Sequence, residues 1–370
     1  MRIAVVANTA WYVVNFRLAL MAALRHAGHD VIAITPPGPE TESITSAGFE
    51  HHAFPLSGRG VSPLVELGSV LALRRRFKDY GVDLVLTSTP KGNLYSALAR
   101  IGLRCGQIVN VSGLGTAFIR KSWITPIVQA LYRLTFRRMD WVFFENADDQ
   151  ALFVESNLVR PDHHERIPGL GVDLDRFEAA PLPGGQASDE VFFLLVARVL
   201  GDKGVREYAQ AAARLKAAFP RMRCRLLGST DSDNPSAIPL AELDGWVRDG
   251  LVDYLGFCND VRPHLRAATC VVLPSYREGM PRSLLEGAAM GRPLIATDVP
   301  GCRETVVDGR NGFLCEVRDA DSLALAMRRI LEASPEQRAA MGANSRHLVE
   351  EKFSEEIVIS RYLQVISTSR

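Results

Sequence analysis

Short apolar runs alternate with longer helical patterns along the whole of this 370-residue chain, and that alternation restricts its fold more than any other feature. Apolar runs of strand length without polar interruption belong to strands covered on both faces, which is the condition of a parallel sheet flanked by helices. In the first half, strands are expected at residues 2–7, 30–34, 50–54, 83–87, 107–111 and 141–144, with helices such as 16–27 and 63–80 between them. The second half repeats the theme with strands at 191–197, 224–227, 252–255, 270–273 and 293–296, and helical patterns at 320–333, 335–352 and 354–366 close the chain. The fold class is therefore α/β, with two doubly wound, Rossmann-like parallel-sheet units in tandem.

A chain of this length is long for one core and comfortable for two. The boundary is expected at 179–190, where Ala-Ala-Pro-Leu-Pro-Gly-Gly-Gln-Ala-Ser-Asp-Glu is poor in large apolar residues and rich in turn formers. This gives a first domain at 1–178 and a second at 179–353.

Composition excludes several classes. The chain is 47% hydrophobic and 23% charged, as expected of a globular protein. It has no apolar run of about eighteen residues that could cross a bilayer. The opening Met1-Arg2-Ile3-Ala4-Val5-Val6-Ala7-Asn8 reads as a buried first strand and lacks a small-residue cleavage site. Six scattered cysteines without C-x-x-C spacing suit reduced core thiols in the cytoplasm. In the pairs His51-His52 and His163-His164 adjacent side chains diverge, so no metal site is expected there.

Net charge is only +1, yet thirteen Lys or Arg lie between Arg59 and Arg138 against Glu66, Asp79 and Asp83. Such a local excess suits an anionic lipid surface or a diphosphate-bearing acceptor, notably where Arg120-Lys121-Ser122-Trp123-Ile124 precedes an amphipathic segment at 127–138. No nucleic-acid motif accompanies it, and no nucleic-acid partner is expected.

Glu278 and Glu286 stand out chemically. Pro281 suits the first turn of a helix continued by Leu284, Leu285 and Ala288, so Glu278 belongs to the preceding loop and Glu286 to the helix. A helix N-terminus that attracts anions, beside carboxylates that accept from hydroxyls, suits a nucleotide sugar. Because open parallel sheets bind ligands beyond the carboxyl ends of their strands, Asn8 and Thr9 after the first strand and Lys91 and Asn93 after the fourth should face a cleft. Gly228, following the strand at 224–227, joins these candidate ligand-binding residues. Gly113-Leu114-Gly115 lacks the third glycine of a dinucleotide fingerprint.

Residues 271–304, with Leu-Pro-Ser-Tyr-Arg-Glu-Gly-Met-Pro, the second glutamate, Gly291-Arg292-Pro293 and Asp298-Val299-Pro300-Gly301, resemble the donor-site signature of the retaining GT4 glycosyltransferases. Leu194-Leu195-Val196-Ala197-Arg198-Val199-Leu200-Gly201-Asp202-Lys203-Gly204 resembles the family's strand and phosphate-binding loop. The resemblance implies a GT-B fold, in which two such domains face a central cleft, the first binding acceptor and the second a UDP-sugar, and in which residues 354–370 pack back on the first.

By matching position, Arg198 and Lys203 would meet the diphosphate and, with Glu278 on the transferred sugar, carry catalysis. Glu286 would bind the ribose, while Gly279, Met280 and Pro281 line the sugar pocket and the amides of Ser283 and Leu284 meet phosphate. Gly113 and Gly115 would lie in an acceptor loop that lacks the histidine of some relatives.

Further segments, among them Asn15-Phe16-Arg17 and Asp233-Asn234-Pro235-Ser236, are similar to bacterial enzymes that extend lipid-linked oligosaccharides. The implied reaction moves a hexose or N-acetylhexosamine from a UDP-sugar to a polyprenyl-diphosphate-linked saccharide, at the inner face of the plasma membrane. No cofactor and no metal is expected, UDP-sugar being a substrate and Asp231-Ser232-Asp233 lying in a loop. The competing readings are a UDP-N-acetylglucosamine 2-epimerase, a dinucleotide oxidoreductase and a non-catalytic sugar-binding subunit.

Overall fold

A computed structural model of the protein describes residues 1–56, 63–113, 125–183 and 190–368. These form two compact units, Met1–Leu170 with Val358–Arg370, and Gly171–Ile357.

The first unit is built on a parallel sheet of β1 (Arg2–Val6), β2 (Asp30–Thr35), β3 (Glu50–Ala53), β4 (Leu84–Thr87), β5 (Gly106–Val111), β6 (Trp141–Phe144) and β7 (His164–Arg166), ordered 3-2-1-4-5-6-7. Alternate side chains of β1 explain the double winding. Ile3 and Val5 pack with Leu20, Leu24, Val358 and Tyr362, whereas Ala4 and Val6 pack on the opposite face with Leu73 and Phe77. Full burial of each large apolar side chain contributes about 1.5–3 kcal/mol before chain entropy is counted.

A second parallel sheet contains β8 (Val191–Val196), β9 (Met222–Leu227), β10 (Asp253–Tyr254), β11 (Cys270–Leu273), β12 (Leu294–Thr297) and β13 (Gly312–Cys315), ordered 10-9-8-11-12-13. Phe193 and Leu195 pack with Tyr208, Leu323 and Met327, while Leu194 and Val271 pack with Leu284, Leu285 and Ala288 on the other face. Sheet order reverses between β8 and β11, which places the switch-point crevice of this unit at their carboxyl ends.

The chain divides earlier than the turn-rich stretch at 179–190 suggests, because Val172 pairs with Ser354 and Phe177 enters the core around Leu284 and Leu285. Residues 184–189 of that stretch lie outside the described residues. Arg292 secures residues on the near side of it. Wholly buried, it donates to the carbonyls of Ala180, Pro181, Ala268 and Met290. Burial, aided by Arg266, lowers its pKa to about 10.

The final helix, Glu355–Thr368, supplies Tyr362 to the first unit, where its ring lies 4.6 Å from that of Phe143. Arg361 on the same helix pairs with Glu165. Among the described residues, no helix is long and apolar enough to cross a membrane.

Candidate functional site

Two adjacent strands of the second unit deliver the candidate residues. Beyond β8 come Arg198 and a short 3-10 turn, Gly201–Lys203, and beyond β11 comes the Ser275–Pro281 loop that enters helix Arg282–Ala289. The loops are stitched together, since the Tyr276 amide donates to the Asp202 carbonyl at 2.9 Å and the Ser275 hydroxyl donates to the same oxygen at 3.2 Å. Gly204 permits this approach. Its φ is +71°, and a Cβ there would lie 2.0 Å from the Pro274 carbonyl oxygen.

The outcome is a direct ion pair, Lys203 Nζ to Glu278 Oε1, at 2.5 Å with both side chains mostly buried. Arg198 is more open and points its guanidinium at Asp231, 3.3 Å away. Asp231 is therefore neutralised by a cation of the same crevice. Among the described residues, no group of three or more His, Cys, Asp or Glu could hold a metal.

Glu286 sits one turn along the helix from Arg282, whose Nε lies 3.3 Å from its Oε1. Arg282 also donates to the carbonyl of Gly171. Burial nevertheless raises the Glu286 pKa, and the opposing fields of Arg282 and Arg176 do not cancel that. An acid with only 12% of its side chain exposed and an elevated pKa is one whose ionised form would gain from donors brought by a ligand.

Several expected contacts are taken differently. The Leu284 amide closes a turn on the Pro281 carbonyl at 3.1 Å, and its side chain is fully buried in the core. Met280, 8% exposed, packs in the same core beside buried Gly279 and Pro281. Ser283 stays partly exposed on the first turn. Gly228 offers shape: its amide donates to the Gly256 carbonyl at 2.8 Å, and a Cβ would lie 1.8 Å from the Ala197 carbonyl oxygen.

Tyr276 brings groups that sequence reading did not assign. Its hydroxyl donates to Glu207 Oε1 at 2.7 Å, and the Arg318 guanidinium lies 4.6 Å from its ring centre. Burial, then the Glu207 carboxylate, pushes its pKa up to about 12. Arg318 reaches it from a left-handed backbone with φ +60°, a conformation no local pattern announces.

In the first unit, Asn8 is exposed beyond β1, and Thr9 caps helix Ala10–Phe16 by accepting from the Tyr12 amide at 3.1 Å. Lys91 pairs with Glu66 at 2.8 Å. Asn93 is a correction to the expected cleft loop, because it is 2% exposed and turns inward to donate to the Asn110 carbonyl at 3.1 Å.

The same strand ends hold a buried polar group of Arg17, Ser88, Asn110 and Glu145. Arg17 donates to Ser88, and Asn110 donates to Glu145 at 2.8 Å. Gly113 is partly buried; Gly115, Arg59, Arg120 and Lys121 lie outside the described residues.

Two family models match this chain: "Glycosyl transferase 4-like domain" over residues 13–169 and "Glycosyl transferases group 1" over residues 190–333. Across 99% of its length and 98% of the relative's, the chain is 26% identical to the N,N'-diacetylbacillosaminyl-diphospho-undecaprenol alpha-1,3-N-acetylgalactosaminyltransferase of Campylobacter jejuni.

Among solved structures, sucrose-phosphate synthase of Thermosynechococcus elongatus matches with a TM-score of 0.81 and 20% identity, over 100% of this chain and 98% of that one. Anabaena HepE, solved with UDP and glucose, matches with a TM-score of 0.79 and 17% identity over 100% of both chains. These structural likenesses establish the fold.

Proposed function

We infer the activity from one premise: the chain belongs to the group 1 glycosyl transferases, with a glycosyl transferase 4-like domain as its first half. It is a glycosyltransferase. The finer reading is a retaining enzyme of family GT4 that moves a hexose or N-acetylhexosamine from a UDP-sugar to a saccharide on a polyprenyl diphosphate. It acts without a metal, in the cytoplasm at the inner face of the plasma membrane. The Campylobacter relative, whose name carries an undecaprenyl-diphosphate acceptor, supports the acceptor class.

The observation that carries the donor chemistry is the Lys203–Glu278 pair at the carboxyl ends of β8 and β11. As the bond from anomeric carbon to diphosphate oxygen breaks, its electron pair stays on the diphosphate, and negative charge grows there. Arg198 and Lys203 are the cations of the crevice that meet it, and their attraction strengthens towards the transition state. Once Lys203 turns to the diphosphate, Glu278 is released to accept from sugar hydroxyls and to steady positive character at the anomeric carbon. Glu286, ionised by its donors, accepts from the ribose. The acceptor hydroxyl then attacks on the face the diphosphate leaves, and a diphosphate oxygen takes its proton.

The test incubates the protein with a panel of UDP-sugars and an undecaprenyl-diphosphate-linked saccharide. UDP release that depends on the acceptor, with a product that keeps the donor's anomeric configuration, is the expected result. Epimerisation of UDP-N-acetylglucosamine without acceptor, or donor binding without turnover on any acceptor, would overturn it.

A further inference from the structure

Helix Pro63–Asp79 is apolar on two opposite sides. Leu73 and Phe77, 0% and 2% exposed, face the core. Leu64, Leu67 and Leu71 are 82%, 55% and 55% exposed and recur at i, i+3 and i+7, so they form one stripe on the outside. Arg75 and Lys78 continue the stripe and are also exposed. Glu66 is not part of it, since it is held inward by Lys91 at 2.8 Å and the Tyr95 hydroxyl at 2.5 Å.

The surface extends beyond this helix. Arg74 reaches across to the carbonyls of Ala99 and Ile101, which joins the stripe to the end of the neighbouring helix Pro90–Ala99. Ile101 and, on helix Thr125–Phe136, Leu134 are about half exposed, and Arg104, Arg133, Arg137 and Arg138 are exposed near them in sequence. The acids of this region have partners: Asp79 with Arg75, and Asp140 with Arg100 and the Gln107 amide.

We propose that helix Pro63–Asp79 docks on an anionic phospholipid bilayer, with Leu64, Leu67 and Leu71 between the acyl chains and Lys78 at the phosphates, joined by Arg75 as it exchanges Asp79 for a phosphate. Charge complementarity selects this occupant. An apolar stripe continued by cations matches a layer of phosphates above hydrocarbon, and long cationic stems keep their heads in the headgroup region while the leucines go deeper. The inference rests on the membrane part of the function proposed above and names the element that makes the contact; the donor chemistry does not enter it.

The experiment is sedimentation of the full chain with vesicles of phosphatidylglycerol and phosphatidylcholine in equal parts, and with vesicles of phosphatidylcholine alone, in the absence of donor and acceptor. The mixed vesicles are expected to bind roughly tenfold more strongly, and Leu64→Ser/Leu67→Ser/Leu71→Ser to lower that binding about tenfold or more at an unchanged melting temperature. The single serine variants repeat the test should the triple variant melt early. Leu325→Ser, at a position 61% exposed in the second unit, should bind as the wild type does.

No binding by the wild type, equal binding to both vesicles, or full binding by the triple variant would overturn the proposal. So would a lipid-free dimer that the triple variant dissociates, which would assign the stripe to a second copy. Because neither substrate is present, failure here leaves glycosyl transfer standing, and failure of transfer leaves this result standing.

Discussion

Lys203 and Glu278, seventy-five positions apart in sequence, hold each other at 2.5 Å across the point where the sheet of the second unit reverses its strand order. Each charge is the partner of the other. In the proposed reaction a diphosphate takes over the lysine, and a hydroxyl-bearing sugar takes over the carboxylate.

That exchange separates the two residues kinetically. Lys203→Ala removes a cation whose attraction grows as the leaving group departs, and kcat is expected to fall on the order of a hundredfold. Glu278→Gln keeps a hydrogen-bonding group but loses the charge, so both kcat and kcat/KM should fall while UDP itself binds almost normally. Steady-state kinetics with UDP binding measured alongside checks both; unchanged kcat in Lys203→Ala would refute the lysine's role.

In its proposed role Glu286 trades stability for binding. Its raised pKa means that, as pH climbs through the ordinary carboxyl range, the unfolded chain releases this proton before the folded one does. Stability contributed at low pH is therefore lost as pH rises towards the folded-state value. Glu286→Gln removes the loss. Its melting temperature at pH 7 should exceed that of the wild type, and the gain should vanish below the ordinary carboxyl range. UDP affinity should drop in the same variant. Thermal melts at the two pH values decide it, and a lower melting temperature at pH 7 would contradict the assignment.

Metal dependence is the third test. Asp231 lies 3.3 Å from Arg198, so the first acid of a loop that matches a D-x-D pattern by letter is paired with a cation already present. A chelator should leave the transfer rate unchanged, and added magnesium should not raise it. Loss of activity on chelation, restored by the metal, would give Asp231 and Asp233 a different role.

Arg292 should matter for folding and little for chemistry. Its guanidinium satisfies several carbonyls and is fully enclosed, so Arg292→Met would remove the donor to the Ala268 and Pro181 carbonyls, while that of Met290 keeps the Ala180 amide, at a cost of about 3 kcal/mol or more. Denaturant unfolding measures this directly. A loss below about 0.5 kcal/mol, the range typical of surface changes, would show that the carbonyls find other partners.

Much of the architecture was legible because buried parallel strands carry their own signal. Runs such as Val271-Val272-Leu273 can hardly be anything else. The strands that escaped notice, β7 and β13, each end a sheet. His164–Arg166 is polar and short, and Gly312–Cys315 opens on a glycine forced by the Leu294 carbonyl, so neither shows the pattern of a central strand.

Local position was legible for the two acids. Glu278 in the loop and Glu286 in helix Arg282–Ala289 follow from Pro281 and the leucine spacing. Direction was not legible. Nothing local says that Asn93 turns inward, that Arg318 reaches Tyr276, or that the helix after β3 presents leucines outward, since each is settled by neighbours distant in sequence.

Calorimetric titration of UDP into the wild type, Arg198→Ala and Glu286→Ala reads the proposed donor site itself. The expected result is measurable binding to the wild type and a loss of about tenfold or more in each variant, the size expected when a charge-assisted hydrogen bond is removed. Equal affinity in all three proteins would contradict it.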